Sequence, residues 1–202
     1  MSEHYFTAQP ATPEQLREIT VSLAGAERQV LTAAGIFSPE HVDHATQVLL
    51  DHVPAPPSSG SFLDLGCGWG PLALSLALTS PGADVRAVDV NERCLELVRR
   101  NAARLGCARV VASVPEDVPD DEGYDLVWSN PPIRIGKGAL HELLVHWLPR
   151  LRPGGEAYLV VGKNLGSDSL QTWLDSALPP GFSTDRFASR KGFRVLRVRR
   201  TA

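Results

Sequence analysis

The sequence predicts an α/β fold in which a mostly parallel sheet ends in an antiparallel hairpin. Two observations lead to this prediction. From residue 61 onward, short apolar runs alternate with amphipathic stretches, a pattern typical of right-handed βαβ units with helices on both faces of a sheet. Near residue 182 the alternation stops, and two strand-like runs follow that are joined by a tight turn, as expected of a hairpin.

A second β-hairpin and a helix are predicted ahead of the alternating part. Ile19, Val21 and Leu23 alternate with polar residues, and a glycine separates this run from another extended run, which is the pattern of a hairpin. Ser38 precedes Pro39 and a stretch with apolar residues at helical spacing. We therefore expect Ser38 to be the N-cap of the helix and Pro39 its first residue.

The stretch "PAPPSSGS" at 54–61 is the clearest breaker in the chain. It separates an N-terminal extension, residues 1–55, from the main body, residues 60–202. Because this stretch has the length of a loop rather than of a domain linker, we expect one domain over residues 1–202.

The main body supplies the remaining elements. Strands are predicted at 61–65, 84–89, 108–112, 124–129 and 156–161, and helices at about 71–79, 91–105, 138–149 and 168–177. With the closing strands "FSTDRFAS" and "FRVLRVRR" the sheet would contain seven strands.

Charge is unevenly distributed along the chain. The formal net charge is −3, which argues against a general nucleic-acid binder. Residues 1–101 carry 6 basic and 12 acidic side chains, whereas residues 102–202 carry 14 and 11. The segment 186–200 contains seven basic residues and no acid. A solvated strand surface and a basic rim that faces phosphate groups both account for this segment.

The sequence contains no signal for export, for membrane insertion or for a metal site. Residues 1–12 lack an apolar h-region, and the apolar stretch 72–78 is too short to span a bilayer. The three cysteines show no CxxC spacing. We therefore expect a cytoplasmic protein with no membrane segment and no bound metal.

The stretch "FLDLGCGWG" places a glycine-rich loop directly after the first strand of the main body. Gly66, Gly68 and Gly70 allow a ligand to approach the main chain closely. Asp89 ends the next strand, where a carboxylate accepts both hydroxyl groups of a ribose or caps the following helix. Asp64 either ties the loop together or binds a ligand's ammonium group. Together these residues favour a nucleoside-containing ligand.

The stretch "SNPPI" follows the fourth strand of the main body. Two successive prolines remove two backbone donors and hold the chain extended. The side chain of Asn130 and the carbonyl of Pro131 then form a pair of acceptors that complements a planar NH2 group. Holding such a group beside a methyl donor requires positioning rather than a strong base or a metal.

The glycine loop and Asp89 resemble the S-adenosylmethionine site of class I methyltransferases, which have a Rossmann-like fold. The resemblance implies that the loop, including Asp64 and Cys67, carries the methionine part of the cofactor. It also implies that Asp89 with Val90 holds the ribose and that residues after the third strand flank adenine. In this sequence Ser113 ends that strand and Val114 stands where the family often has an acid. Asp117 or Glu116 would then take its place.

The Asn-Pro-Pro motif resembles that of methyltransferases that modify exocyclic or amide nitrogens, although Ile133 stands where many of them have an aromatic residue. The stretches "GIFSPEHVDHATQVLL", "NPPIRIGKG", "LRPGGEAYLVV" and "KGFRVLRVRR" resemble the bacterial methyltransferase small-domain family, which includes ribosomal RNA (guanine-N2)-methyltransferases. This resemblance, from about Thr7 to Arg200, implies catalytic roles for Asn130, Pro131, Pro132 and Ile133. It places Phe37, Asp43 and Thr46 beside the cofactor.

The resemblance further implies an RNA substrate, either ribosomal RNA or a ribosomal subunit. Arg134, Lys137, Phe193 and Arg194 are the expected substrate-binding residues. A protein glutamine N-methyltransferase, a non-catalytic cofactor-binding module of RNA assembly and an enzyme for small-molecule acceptors remain alternatives. For the oligomeric state, a monomer and a homodimer both remain open.

Overall fold

The structure is a computed structural model that describes residues 15–202; predictions that concern residues 1–14 lie outside the described residues. The first part of the chain forms β1 (Leu16–Leu23), β2 (Ala26–Ala33), α1 (His44–His52), β3 (Ser59–Leu65), α2 (Pro71–Thr79), β4 (Gly82–Val88) and α3 (Glu92–Leu105). The second part forms β5 (Val110–Ser113), β6 (Tyr124–Ser129), α4 (Lys137–Trp147), β7 (Leu151–Gly162), α5 (Ser167–Ala177), β8 (Phe182–Arg190) and β9 (Phe193–Arg200).

The predicted fold is confirmed. Seven strands form one sheet in the order β5-β4-β3-β6-β7-β9-β8, and β1 and β2 form a separate hairpin. The strands from β3 to β7 pair in parallel, whereas β9 runs antiparallel to both β7 and β8. The chain passes from β3 to β4 on one side and later to β6 on the other side. The order of the strands therefore reverses at β3, which is where ligands bind in open parallel sheets.

Helices cover both faces of the sheet, as the alternating pattern predicts. On one face, α1, α2 and α3 share a hydrophobic cluster with the hairpin and with Phe62, Leu126 and Trp128 of the sheet. Trp128 is therefore a core residue, at 4% exposed. On the other face, α4 and α5 pack in a second cluster around Tyr124 and Leu159. None of the helices within residues 15–202 is long and apolar enough to cross a membrane.

The predicted start of α1 is wrong by several residues. The N-cap is Asp43, whose Oδ2 accepts hydrogen bonds from the amides of Ala45 and Thr46 at 2.9 and 3.3 Å. Ser38 instead has a φ of 47° and donates its hydroxyl to the carbonyl of His41. An ionised carboxylate that accepts two amides outcompetes a serine that is turned toward the preceding loop.

The N-terminal hairpin is joined to the main body by one buried asparagine. Asn101 of α3 is fully buried; its Oδ1 accepts from the amide of Leu31 at 2.7 Å, and its Nδ2 donates to the carbonyl of Leu31 at 2.9 Å. Nδ2 also donates to the carbonyl of Trp69 at 3.4 Å. The side chain of Asn101 thus replaces a neighbouring strand for Leu31 and links the hairpin to the glycine loop.

We predict that Asn101→Ala lowers the free energy of unfolding by about 2–4 kcal/mol, because it leaves the amide and the carbonyl of the partly buried Leu31 unpaired. Denaturant unfolding monitored by circular dichroism measures the loss. Arg104→Ala is the matched control, because Arg104 also joins α3 to the hairpin, through an ion pair with Glu18 that is exposed to solvent. It should cost less than about 1 kcal/mol. Equal losses in the two variants would contradict the role assigned to Asn101.

Candidate active site at the carboxyl edge of the sheet

The two sequence motifs meet at one edge of the sheet. β3 and β6 are parallel neighbours, with Asp64 opposite Trp128, so the glycine loop after β3 and the Asn-Pro-Pro segment after β6 leave the sheet side by side. The buried hydroxyl of Ser129 donates to the carbonyl of Leu65 at 2.6 Å and ties the two strand ends together.

A cavity opens between these two segments and the start of α1. Its lining includes eight of the predicted site residues, namely Phe37, Asp43, Thr46, Asp64, Gly66, Cys67, Gly68 and Asn130. Ser38, Trp69, Pro71 and Leu72 complete it. Residues from three separate parts of the sequence therefore converge on one cavity, and Phe37 remains 43% exposed at its margin.

Asp64 is fully buried and only half satisfied. Its Oδ2 accepts from the amide of Ala73, in the first turn of α2, at 2.8 Å, whereas Oδ1 has no hydrogen-bond partner among the described residues. Burial raises the pKa of Asp64 from 3.8 to about 8; the hydrogen bond from Ala73 opposes this rise, and the charge of Asp89 adds to it. An orphaned carboxyl oxygen that lines a cavity is suited to a ligand that brings a positive charge or a donor.

The glycine loop is held in place by its own backbone amides. The amides of Gly66 and Cys67 both donate to the carbonyl of Val88, at 2.8 and 3.0 Å, and the amide of Gly68 donates to Asp89 at 2.9 Å. What the loop offers a ligand is space. Gly68 has a φ of +54°, and a Cβ on it would meet no atom within 4 Å, so a side chain there would fill part of the cavity.

Gly70 has a different role from the other glycines of the loop. It has a φ of +97°, and a Cβ on it would lie 3.0 Å from Val98. The glycine therefore permits α2 to pack closely against α3, and it does not line the cavity.

Cys67 lies in the loop as a buried thiol. Its pKa is raised well above the usual value, chiefly by burial and then by the charges of Asp89 and Asp64. It is therefore a neutral side chain that fills space rather than a nucleophile.

Asp89 ties the glycine loop to the end of β4. One of its oxygens accepts from the amide of Gly68 and the other accepts from the amide of Asn91, both at 2.9 Å. Asn91, rather than Asp89, caps α3, because its side chain accepts from the amide of Arg93 at 3.0 Å. Burial raises the pKa of Asp89. Its neighbour Val90 is 42% exposed at the same edge. The ribose contacts expected of Asp89 and Val90 remain predictions.

Ser113 and Asp117 lie outside the cavity lining. The hydroxyl of Ser113, which is buried, accepts from Arg86 at 2.8 Å and is occupied within the fold. Asp117 lies in a one-turn helix, Pro115–Asp117, with its side chain exposed. Their assignment to the adenine end of a cofactor stays a prediction.

Asn130 lies in the cavity with both hydrogens of its side-chain amide bound. Nδ2 donates to Oδ2 of Asp43 at 2.9 Å and to the hydroxyl of Thr46 at 3.0 Å. Sequence reasoning grouped Asp43 and Thr46 with the cofactor and missed this contact, because residues 84 and 87 positions apart carry no mutual signal in one sequence.

The prolines that follow hold a tight turn. The amide of Ile133 donates to the carbonyl of Pro131 at 2.8 Å, with Pro132 at φ −74° and ψ 71° between them. This carbonyl therefore retains one of its two lone pairs, but Pro131 is buried and does not belong to the cavity lining. Ile133 itself packs against the hydrophobic cluster under α4 and α5.

A second cavity lies beyond Ile133, between α4 and α5. Its lining comprises Ile133, Lys137, Leu140, His141, Gly166, Ser169 and Leu170. The ring of His141 stacks on Trp173 with centroids 3.5 Å apart, and desolvation together with the nearby charge of Lys137 lowers the pKa of His141. The motif reasoning did not single out His141, because a lone histidine in an amphipathic helix resembles any surface position.

The predicted substrate-binding residues differ in their availability. Arg134 and Lys137 are exposed, and no ion pair of either occurs within residues 15–202. Phe193 is half-buried and meets the edge of the His44 ring with centroids 5.6 Å apart. Arg194 is mostly buried and forms an ion pair with Asp168, which Arg186 shares at 2.9 Å. Part of the basic C-terminal segment is thus neutralised within the fold.

Unpaired cations nevertheless gather at the carboxyl edge. The turn between β8 and β9 lies next to the end of β7, because the amide of Lys163 donates to the carbonyl of Gly192 at 2.8 Å. Arg190, Lys191 and Lys163 are exposed there, without an ion pair inside the described chain. No cluster of histidine, cysteine and acidic side chains within residues 15–202 has the composition to hold a metal ion.

Comparisons with known proteins identify the family and the fold of the chain. Residues 27–197 match the family described as the methyltransferase small domain. A Bacillus subtilis protein named YbxB, itself uncharacterised, is 28% identical over 99% of this chain and 100% of its own length. The ribosomal RNA small subunit methyltransferase C of Ectopseudomonas mendocina is 31% identical over 95% of this chain, which spans 58% of that protein.

The solved structures include one similar fold with ligands bound. The T. thermophilus 16S rRNA N2 methyltransferase RsmC, in complex with AdoMet and guanosine, superposes with a TM-score of 0.77 at 24% identity. The match covers 93% of this chain and 51% of that protein. Our chain thus spans about half the length of the ribosomal RNA methyltransferases it matches.

We predict that Asp64→Asn makes the ligand-free protein more stable at alkaline pH. The folded chain retains the proton of Asp64 up to a pH of about 8, whereas the unfolded chain loses it near 4. This carboxyl therefore makes the wild type less stable as the pH rises from 4 to 8, by on the order of 1 kcal/mol per pH unit. The advantage of the variant should grow over the same range.

Denaturant unfolding at pH 5.5 and 8.5 measures this effect. Asp84→Asn is the control, because the side chain of Asp84 is 70% exposed and its ion pair with Arg109, at 2.7 Å, lies at the surface, where such pairs contribute little to stability. A variant at position 64 that parallels the wild type at both pH values would show that the buried carboxyl does not titrate as described.

Proposed function

The chain belongs to the methyltransferase small-domain family, and on this basis we propose that it transfers the methyl group of S-adenosylmethionine to the exocyclic N2 amine of a guanine in ribosomal RNA. Membership of the family makes the chain a methyltransferase with S-adenosylmethionine as its cofactor. The guanine acceptor and the RNA substrate are our proposal, as is its action in the cytoplasm. The observation that carries it is the shared cavity of Asp64, the glycine loop and Asn130.

The residues present fit this cofactor. S-adenosylmethionine carries an α-ammonium group, and the unpartnered Oδ1 of Asp64 is the group in the cavity that matches it. The open space over Gly68 accommodates the amino-acid part, and the exposed ring of Phe37 offers an apolar surface at the cavity margin. When bound, the cofactor supplies a methyl group on a positively charged sulfur. The chain holds it and excludes water.

The chemistry at the acceptor follows from Asn130. An exocyclic amine presents two N–H donors in one plane, and the amide oxygen of Asn130 with the remaining lone pair of the Pro131 carbonyl provides two acceptors. Transfer then depends on holding the amine in line with the methyl group. The methylated nitrogen becomes acidic and releases its proton to solvent, so the proposal requires no strong base and no metal.

Two further features support RNA as the substrate. The exposed cations at the carboxyl edge, among them Arg134, Lys137 and Lys163, lie at the edge where the cavity opens and can contact phosphates. Ile133 and the cavity near His141 lie next to the Asn-Pro-Pro segment, where an extruded base has an apolar floor and an aromatic pair beside it.

The main alternative is a protein glutamine N-methyltransferase, whose planar amide NH2 would bind the same acceptors. The cations at the carboxyl edge favour a phosphate-bearing substrate over a peptide. A cofactor-binding module without catalysis is the other alternative. It does not explain why both hydrogens of Asn130 are held while its oxygen remains for another group.

We predict that Asp64→Asn weakens S-adenosylmethionine binding about 10- to 100-fold, because it removes a charge-assisted hydrogen bond to the ammonium group. In the wild type, affinity should increase from pH 6 to 8, since the carboxyl must ionise to face a cation. Isothermal titration calorimetry measures both effects. 5′-Methylthioadenosine, which lacks the amino-acid part, is the control ligand, and its affinity should not change in the variant. An equal loss of affinity for both ligands would contradict the contact that we assign between Asp64 and the ammonium group.

Transfer of labelled methyl groups to total RNA, ribosomal subunits and total protein tests the proposed function directly. We expect the label in ribosomal RNA as N2-methylguanosine. Asn130→Ala should lower the rate at least about 100-fold while leaving the cofactor Kd within about threefold, because it removes only the amine acceptor.

Gln29→Ala is the control for these assays, because Gln29 is exposed on the hairpin, and it should behave as the wild type. Label in protein alone would establish the glutamine enzyme instead. An absence of label in every fraction would contradict the proposed function.

A further inference from the structure

The side-chain amide of Asn130 is held from behind by the beginning of α1. Nδ2 donates one hydrogen to Oδ2 of Asp43 at 2.9 Å and the other to the hydroxyl of Thr46 at 3.0 Å. Thr46 is buried, at 4% exposed. Both donors of the amide are therefore used within the protein, and neither is available to a ligand.

Asp43 determines which end of the amide faces the cavity. An ionised carboxylate accepts hydrogen bonds but cannot donate them, so the amide must turn its NH2 toward Asp43. The oxygen of Asn130 then points away from Asp43 and accepts no hydrogen bond from any residue in 15–202. Asn130 lines the same cavity as Gly66 and Asp64, so the amide oxygen is left for a donor that enters there.

The backbone of α1 makes this arrangement rigid. The oxygen of Asp43 that binds Asn130 also accepts the amides of Ala45 and Thr46, at 2.9 and 3.3 Å. Asp43 is the N-cap of the helix, so its position depends on the helix rather than on a free rotamer. The helix start therefore provides Asn130 with an acceptor in a fixed place.

We propose that Asp43 and Thr46 are positioning residues, which fix the amide of Asn130 as a pure hydrogen-bond acceptor for an N–H donor of the methyl-accepting substrate. This inference rests on the proposed function. With the amide reversed, Asn130 would present N–H groups to the N–H groups of the substrate amine, and the two would repel each other. Asp43 and Thr46 thus select for a substrate that donates a hydrogen bond, and they do so through Asn130.

Three substitutions separate this role from a structural one. Asp43→Gly is tolerated at an N-cap but removes the oxygen to which Asn130 donates, so the orientation of the Asn130 amide is no longer fixed from that side. Thr46→Val keeps the packing and the cap but removes the hydroxyl acceptor. Thr46→Ser restores that acceptor and should recover most of the rate that Thr46→Val loses.

Steady-state kinetics with ribosomal RNA, together with calorimetry of S-adenosylmethionine binding, provides the first test. We expect kcat to fall about 100-fold in Asp43→Gly and about tenfold in Thr46→Val, with the Kd for the cofactor within about threefold of wild type. Gln47→Ala, which removes a side chain bonded to Asp51 on the exposed side of α1, should leave kcat unchanged. Wild-type kcat in Asp43→Gly and Thr46→Val would overturn the proposal, as would a loss in Thr46→Ser equal to that in Thr46→Val.

Nuclear magnetic resonance tests the orientation without catalysis. The chain has four asparagines, so the side-chain signals of Asn130 are identified by their absence in Asn130→Ala. In the wild type these hydrogens should exchange with water at least about tenfold more slowly than those of the exposed Asn164, and Thr46→Val should accelerate the exchange. Equally fast exchange at the two residues would overturn the proposal. If the wild type methylates no RNA, the proposed function fails, while this exchange still decides whether α1 holds the amide.

Discussion

Strand β3 hydrogen-bonds in parallel to β4 on one side and to β6 on the other, and every feature of the site depends on this double pairing. Because all three strands point the same way, the chain leaves them at one edge, and the segments that follow are brought together there. The register is equally important. Asp64 lies opposite Ala87 and Trp128, and a slip of one residue would turn its side chain to the other face of the sheet. The cavity is therefore a consequence of strand order and register before any ligand is considered.

The groups that make the site useful are unfavourable for the fold alone. A fully buried carboxyl with one oxygen unpaired raises the free energy of the folded chain. A glycine loop with open space beside it makes fewer van der Waals contacts than a packed loop would. The chain compensates within the same region. The amides of the loop donate hydrogen bonds to the carbonyl of Val88 and to the carboxylate of Asp89. The ring nitrogen of Trp69 donates to the carbonyl of Ser38 at 3.2 Å. The loop is thus rigid before a ligand arrives, which reduces the entropy lost on binding.

Sequence patterns predict the parts of this molecule that depend on local chemistry. The alternation of elements, the strand ends and the glycine loop all follow from periodicity and from residues such as Gly66, and the observed strands and helices agree with the predicted ones. The predictions are incomplete where two side chains compete to cap one helix, or where two interacting residues are far apart in the sequence. Ser38 and Asp43 are both good N-cap residues, and only the surrounding contacts decide between them. The two interpretations of the basic segment, a solvated surface and a rim that faces phosphate groups, both overlook Asp168, which lies on another element and forms an ion pair with Arg194.

The buried asparagine that joins the hairpin to α3 has a consequence for how the molecule is made. Asn101 and Leu31 are 70 residues apart in the chain, and Asn130 and Asp43 are 87 apart. During translation the hairpin leaves the ribosome before the residues that it packs against have been synthesised. Its apolar side remains uncovered until α3 follows, some seconds later at about 5–20 residues per second. The cavity closes only after β6 has inserted beside β3. A nascent chain interrupted before that point lacks Asn130 and with it one side of the cavity, while the apolar side of its hairpin is exposed to chaperones.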